Sequence, residues 1–224
     1  KDYGGDSSSV ADQLEGGVIS INDPFTDSWS YKKNSIEVLS AIDFDLKESG
    51  SSQFQLTLTG TGEPYGYGNE LDNIISGNRN ENRLDGRSGN DLLSGGFGAD
   101  LFLLSKGTDT ISDFEIEEGD HVGIAEGIEY VVESKSNNLY LTTPESGNQN
   151  LENVDFDEFL LANPVFALDQ DGETIIDRYY PPIYAINGVD VFSSISFDLS
   201  NEQRNLTLLG EANIDGQGND YDNR

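Results

Sequence analysis

Large apolar residues recur along this chain with two different periods. Phe54, Leu56 and Leu58 alternate with polar residues, which predicts a half-buried strand over 53–59. Segments 18–21, 36–39 and 41–46 read as further strands, after an Asp/Ser/Gly-rich stretch over 1–16 that reads as extended. From residue 68 the spacing lengthens. One large apolar side chain then falls every nine positions: Ile75, Leu84, Leu93, Phe102 and Ile111. Beyond 112 the nine-residue period stops. Strand-like runs at 111–116, 121–124, 128–133 and 138–143 follow, separated by Gly and Asn turns. The one convincing helix is DFDEFLLA over 155–162, capped by Asn153 or Asp155 and ended by Pro164. No apolar run reaches the ~18 residues that a membrane-spanning helix needs.

Written in nines from Gly68, the chain reads GNELDNIIS, GNRNENRLD, GRSGNDLLS and GGFGADLFL. Position one is Gly in all four units: Gly68, Gly77, Gly86 and Gly95. Position six is Asn73, Asn82, Asp91 and Asp100. A fifth unit, LSKGTDTIS over 104–112, keeps Gly107 at position four and Asp109 at position six but loses the leading Gly. Positions one to six carry turn formers, with Gly or Asn where a positive φ costs little. Positions seven to nine form a very short strand with one apolar side chain turned inward. Two nines make one full coil, so turns two units apart stack on the same side. Main-chain carbonyls and carboxylates from the two turns then converge on the gap between them. Hard oxygen donors in that number suit Ca²⁺ better than Mg²⁺ or a transition metal.

The pattern resembles G-G-x-G-x-D-x-U-x, the nonapeptide of RTX (hemolysin-type) calcium-binding proteins. GRSGNDLLS and GGFGADLFL match it well. The first two units depart: Asn stands at position six, and Leu71 or Asn80 replaces the Gly at position four. Leucine tolerates a positive φ poorly, so unit one is expected to be distorted. Asn supplies an oxygen without a charge, so sites built on Asn73 or Asn82 are expected to bind weakly. The segment after the repeats also resembles the exit of such rolls, with Asp109, Ile111, Asp113 and Phe114 matching D-T-I-x-D-F.

The resemblance implies an all-β fold: a parallel β-roll with calcium-binding turns, flanked by an antiparallel β cap and one short helix. It also implies the ligands. One turn supplies carbonyls from positions one, three and five. The turn two units later supplies carbonyls from two and four and the side chain of six. Gly68, Glu70 and Asp72 then pair with Arg87, Gly89 and Asp91. Gly77, Arg79 and Glu81 pair with Gly96, Gly98 and Asp100. Gly86, Ser88 and Asn90 pair with Ser105, Gly107 and Asp109. A weaker site would join Thr59, Thr61 and Glu63 to Asn78, Asn80 and Asn82. About three to four calcium ions are implied. Asp91→Ala or Asp100→Ala should remove one tight site, whereas Asn73→Ala should matter little.

A longer repeat lies across the chain. Residues 54–73 align without gaps with 204–223, identical at nine of twenty positions, from Leu56/Leu206 to Asn73/Asn223. Upstream, IDFDL over 42–46 matches ISFDL over 195–199. The expected organisation is an N-terminal extended or β segment (1–40), a roll (41–112), a β cap with the helix (113–164), and a linker leading into the opening of a second roll (165–224). That second opening, together with the absence of methionine, leads to the expectation of a piece of a larger modular protein.

Charge narrows the function. Acidic residues number 42 and basic ones 12, a formal net charge of −30. Such a chain will not wrap a nucleic-acid backbone or settle on an anionic membrane. Its self-repulsion opposes compaction unless cations neutralise it; a saline habitat is the alternative source of screening. Cysteine is absent and His121 is the single histidine, which excludes thiolate and two-histidine metal sites.

Sharper chemistry finds little support. Gly5-Asp6-Ser7-Ser8 lacks the Asp-x-x-His partner of a secreted esterase. Asp169-Gln170-Asp171-Gly172 lacks the rest of an EF-hand and reads as a turn. Trp29, Tyr31, Tyr179 and Tyr180 offer ring faces for sugars but are expected to pack a β core. Asn205-Leu206-Thr207 is a glycosylation triplet on a strand.

The expected function is therefore structural, with no catalytic residues. It is a calcium-binding module of a secreted or cell-surface protein, folding outside the cell and acting as a spacer or adhesive element. Type I secretion is implied by the resemblance. The alternatives are a non-catalytic folding and export module of a secreted hydrolase, or a carbohydrate-binding module. Expected partners are calcium, further modules of the same parent, and a glycan or another cell surface.

Overall fold

The computed structural model describes residues 19–22, 29–33, 37–49, 53–143, 147–169, 174–179, 182, 184–209 and 214–224. The expectations at 1–16, at Gly5–Ser8 and at residues 170–172 lie outside the described residues, as do the ring contacts of Trp29, Tyr31, Tyr179 and Tyr180.

The chain winds as a parallel coil with one short strand per turn on each of two facing sheets. The first face runs through Glu37–Ser40, Gln55–Leu58, Ile74–Ser76, Leu92–Ser94, Thr108–Ile111 and Gly147–Leu151, all parallel. The second runs through Phe44–Asp45, Tyr65–Tyr67, Arg83–Asp85, Leu101–Leu103, His121–Ala125 and Val165–Leu168, also parallel. Inside the repeats the register is two nonapeptides per coil: Ile74 pairs with Leu92 and Leu92 with Thr110 on one face, Tyr65 with Arg83 and Arg83 with Leu101 on the other. The all-β parallel roll is therefore present.

The nine-residue apolar period supplies the core. Leu56, Ile75, Leu93, Ile111 and Leu151 stack inward from the first face, and Leu84, Phe102, Val122 and Val165 from the second, all with no exposed surface. Each such burial stabilises by ~1.5–3 kcal/mol. A three-residue strand presents a single inward side chain, so one coil alone buries too little. Stacking makes the core continuous.

The coil does not end where the period ends. Gly147–Leu151 lies parallel on Thr108–Ile111, with Asp109 opposite Gln149 and Ile111 opposite Leu151. The step between these two strands is far longer than a coil of the repeats, because a hairpin, Val131–Lys135 and Asn138–Thr143, is inserted between them. Its turn places Ser136 and Asn137 at φ 51° and 71°, the left-handed pair that suits a two-residue hairpin. The antiparallel element expected as a closing cap is thus an extension of the first sheet, which continues through Tyr184–Asn187, Asp190–Ser193 and Asn205–Leu208.

The helix forms over Phe156–Ala162. Asp155 caps it by accepting from Glu158 N, and Asn163 ends it in the left-handed region. Phe159 stands 6.2 Å from Phe114, and Phe156 stands 5.7 Å from Phe192.

Two expected strands are corrected. Over 41–46 only Phe44–Asp45 is strand, and Leu46–Ser49 turns into a helix because Asp45 accepts from Lys47 N at 2.8 Å. Over 111–116 the strand stops at Ile111, and Ile116–Glu118 is a 3₁₀ turn ended by Gly119 at φ 95°.

Candidate metal centre

The turns of units three to five share a backbone that the first two lack. At position four, Gly89, Gly98 and Gly107 have φ of 130°, 114° and 122°. At position two, Arg87 and Gly96 have φ of 68° and 96°. An L side chain at position four would also meet the coil before it: Leu71 O at Gly89, the Asn80 and Glu81 backbone at Gly98, and Gly89 O at Gly107. Leu71 and Asn80 hold no such conformation. The distortion expected in unit one is present and extends to unit two. There Asn69 Oδ1 accepts from Leu71 N at 2.9 Å and Asn78 Oδ1 from Asn80 N at 2.8 Å, an Asx turn in place of the glycine turn.

The position-six side chains form two inward columns. Asp91 Oδ1 accepts from Asn73 N at 2.7 Å, and Asp109 Oδ1 from Asp91 N at 3.1 Å. In the other column Asp100 Oδ1 accepts from Asn82 N at 2.7 Å, and Asp120 Oδ1 from Asp100 N at 2.9 Å. Each carboxylate thus spends one oxygen on the coil before it. The second oxygens of Asp91 and Asp100 are buried and have no hydrogen-bond partner. They lie against the Cα of Gly86 and Gly95, where any Cβ would collide with them, which is why position one is glycine in these units. Asp109 Oδ2 accepts from Ser105 Oγ at 2.7 Å, and Asp120 Oδ2 from Glu115 N at 2.8 Å.

Burial without a counter-charge leaves these carboxyls poor acids. Burial pushes Asp91 up to about 7, with Asp109 adding to the shift. It pushes Asp100 up to about 7, helped by Asp120, Asp113 and Glu118. Burial raises Asp109 as well and takes Asp120 to about 6. A buried anion with an open lone pair is costly, and a bound cation is the direct remedy.

The structure brings the predicted ligand turns together in pairs, one coil apart. Gly68 stacks against Gly86 O and Gly77 against Gly95 O. The charged members of the set do other work. Asp72 Oδ1 accepts from Asn90 N at 2.8 Å, and Asn90 Oδ1 from Thr108 N at 2.9 Å, a brace along position five. Arg87 sends its guanidinium to Asp45 in two contacts of 2.6 Å and to Gly68 O at 2.9 Å. Burial opposes ionisation of Asp45 most strongly, but the Arg87 hydrogen bond, the Lys47 N–H and the charges of Arg87 and Lys47 together outweigh it and hold the carboxyl below its ordinary value. Arg79 lies over the Phe97 ring at 5.9 Å. Among the described residues no three Asp, Glu or His side chains form a metal cluster. Any cation here would rely on main-chain oxygens around one carboxylate. The orphaned oxygens, the glycine cradle and the all-oxygen donor set fit calcium.

The weak site on Asn82 does not fit. Asn82 Oδ1 is taken by Asn78 N at 2.7 Å, and Asn82 Nδ2 donates to Pro64 O at 3.1 Å. Amide hydrogens fill the space a cation would need.

Sequence reasoning missed Asp113, Glu118 and Asp120. Asp113 accepts from Gly95 N and Gly96 N at 3.0 and 3.1 Å, and Glu118 from Gly98 N at 3.2 Å. The signal was present but off register: Asp120 stands two positions beyond the place that the repeat would give the next residue of the Asp100 column. His121 stacks on Phe166 at 4.0 Å, and burial lowers its pKa, so it serves as a neutral packing ring.

The duplicated segment folds as its counterpart does. Asn219 N donates to Asn223 Oδ1 at 3.0 Å and Tyr221 N to Asn219 Oδ1 at 3.1 Å, as Asn69 N does to Asn73 Oδ1 and Leu71 N to Asn69 Oδ1. Phe197 pairs with Gly216 as Phe44 pairs with Gly66.

Comparison with known proteins agrees with this geometry. Among solved structures, the extracellular lipase LipA from Serratia marcescens aligns at 16% identity with a TM-score of 0.24, too low to carry an argument. That alignment covers 71% of this chain and 27% of the lipase chain, so this chain spans about a quarter of its length. No curated protein matches. A family model for the RTX calcium-binding nonapeptide repeat matches in four copies over residues 67–102. Residues 67–102 of this chain are thus RTX calcium-binding nonapeptide repeats, their glycine-rich turns stacked as a parallel β-roll.

Proposed function

We propose that this chain is a calcium-dependent structural module of an exported protein, with three ions held between stacked turns. The gaps are those of Asp91, Asp100 and Asp109; the amide-filled gap at Asn82 lowers the expected three to four to three. The observation that carries this reading is the pair of buried, unpartnered oxygens on Asp91 and Asp100 inside RTX repeats. Bound calcium would supply the positive charge those carboxylates lack.

The regulation follows from linkage. A ligand that binds only the folded form stabilises it by RT ln(1 + [L]/Kd) per site. Extracellular calcium modules bind at ~10⁻⁴–10⁻³ M, far above cytosolic free calcium. A chain of net charge −30 would therefore stay expanded before export and compact outside. The repeated opening at 42–73 and 195–223 favours a spacer built of successive rolls over an appendage to a hydrolase.

The test is a calcium titration of the metal-stripped chain, followed together by far-UV circular dichroism and calorimetry. The expected result is a cooperative gain of β signal with about three ions bound and no replacement by magnesium. A chain fully folded in chelator that takes up no calcium overturns the proposal.

A further inference from the structure

Four position-six residues in this fold carry carboxamides in place of carboxylates, and the three asparagines donate to the carbonyl one coil back in the same sense. Asn73 Nδ2 donates to Phe54 O at 3.4 Å, Asn82 Nδ2 to Pro64 O at 3.1 Å and Asn223 Nδ2 to Arg204 O at 3.2 Å. Gln149, opposite Asp109 in the coil beyond the hairpin, differs: its Nε2 donates to Leu103 O at 2.9 Å while its Oε1 is buried without a partner. Gly147 in that coil has φ 127°, the conformation of the position-four glycines.

The three Asn turns are doubled. A second Asn four residues earlier donates to the same preceding coil: Asn69 Nδ2 to Gln53 O at 2.7 Å, Asn78 Nδ2 to Gly62 O at 3.0 Å and Asn219 Nδ2 to Gln203 O at 2.8 Å. In the aspartate turns nothing donates to the second side-chain oxygen of Asp91 or Asp100. The amides therefore place N–H hydrogens where the aspartates leave open acceptors.

We infer that position six selects how each gap between coils is closed. At Asp91 and Asp100 a carboxylate leaves it open for a cation, at Asp109 the second oxygen meets only the rotatable Ser105 hydroxyl, and an asparagine closes it with its own hydrogens. The roll is then stapled without metal at its entry, by Asn73 and Asn82. Calcium acts on the coils that follow. Asn223 gives the second opening the same metal-free entry. This inference rests on the reading that the aspartate gaps take calcium, and it deepens that reading. The entry coils form first and present an ordered template on which the calcium-dependent coils add. Because a helix or roll nucleus is the costly step, a metal-free template removes it from the calcium-dependent part of folding.

Two measurements test it. The first is residue-resolved hydrogen exchange of the intact chain in chelator. The main-chain amides of Asn69, Leu71, Asn78 and Asn80 should exchange at least tenfold more slowly than those of Asp91 and Asp100. Equal rates, or no protection anywhere, overturn the inference. The second compares Asn82→Asp with Asp91→Asn and Asp91→Ala by calorimetric ion count and by folding in chelator. Asn82→Asp should bind one more calcium than the parent. Asp91→Asn should lose one ion, yet retain more structure in chelator than Asp91→Ala, because its new amide reaches the carbonyl of Asn73. An unchanged count in Asn82→Asp, or indistinguishable Asp91 variants, overturns the inference. If the parent chain binds no calcium, the proposed function fails instead, and the exchange pattern still decides whether the amide staples hold.

Discussion

At the scale of single residues, one atom separates the two kinds of turn. Asp91 and Asn73 occupy the same column, one coil apart, and both side chains are buried. The carboxylate has an oxygen with no donor; the carboxamide has none left over. Their substitutions should therefore differ in kind. Asp91→Ala or Asp100→Ala is expected to remove one calcium each; it relieves a buried charge but strips the acceptor from Asn73 N or Asn82 N, so the loss is much larger when calcium is present. Asn73→Ala should leave the ion count unchanged but remove hydrogen bonds that satisfy buried main-chain groups. That costs about 1–3 kcal/mol in calcium and in chelator alike. Asn73→Ala is thus predicted to matter little for metal but to matter for stability. Denaturant melts of the three variants in both conditions check this, and a calcium-dependent loss for Asn73→Ala would contradict the assignment.

At the scale of the element, each nonapeptide joins a turn that faces the metal gap to a strand that faces the core. The turn half depends on backbone conformation. Gly98→Ala forces a Cβ onto the Asn80–Glu81 backbone at φ 114°, so the turn must shift and its carbonyls move out of place. The expected outcome is at least tenfold weaker affinity at the Asp100 gap, read by calorimetry, with the other gaps retained. The strand half depends on volume. Phe102 is fully buried and touches Phe114 across 6.0 Å, so truncation to Ala removes a core rung. A cost of about 3–5 kcal/mol follows, independent of calcium.

At the scale of the whole molecule, charge links pH to calcium. The carboxyls of Asp91 and Asp100 rise from 3.8 to about 7 in the metal-free fold. Between those values the folded chain holds protons that the unfolded chain has released. Stability without metal is therefore greatest in acid and falls as pH rises through that window. Calcium needs the ionised forms, so its affinity rises over the same window and binding releases protons. In chelator the melting temperature should fall from about pH 4 to about pH 7, and in calcium the trend should reverse. Parallel trends in both conditions would show that these carboxylates do not face the metal. The remaining excess of the −30 charge acts in the same direction, since acid also relieves general repulsion.

The periodic part of this protein is legible in the order of its residues. A nine-residue rhythm of Gly, Asx and one apolar residue admits few arrangements, because only a coil of two nines puts every apolar side chain inward and every turn over another. From that rhythm alone Gly86, Asp91, Gly95, Asp100 and Asp109 could be placed, and the core column from Ile75 to Ile111 with them. Local capping chemistry placed the helix at Phe156–Ala162 equally well. The tertiary structure decided what the rhythm does not encode. It closed the coil with Gly147–Leu151 across the inserted hairpin, and it put Asp120 into the Asp100 column from outside the repeat register. It also decided which position-six oxygens are orphaned. Pairing between distant strands depends on how the intervening hairpin folds back. A side-chain oxygen is free or taken only by virtue of its neighbours in the folded turns, such as Ser105 beside Asp109 or Asn78 beside Asn82.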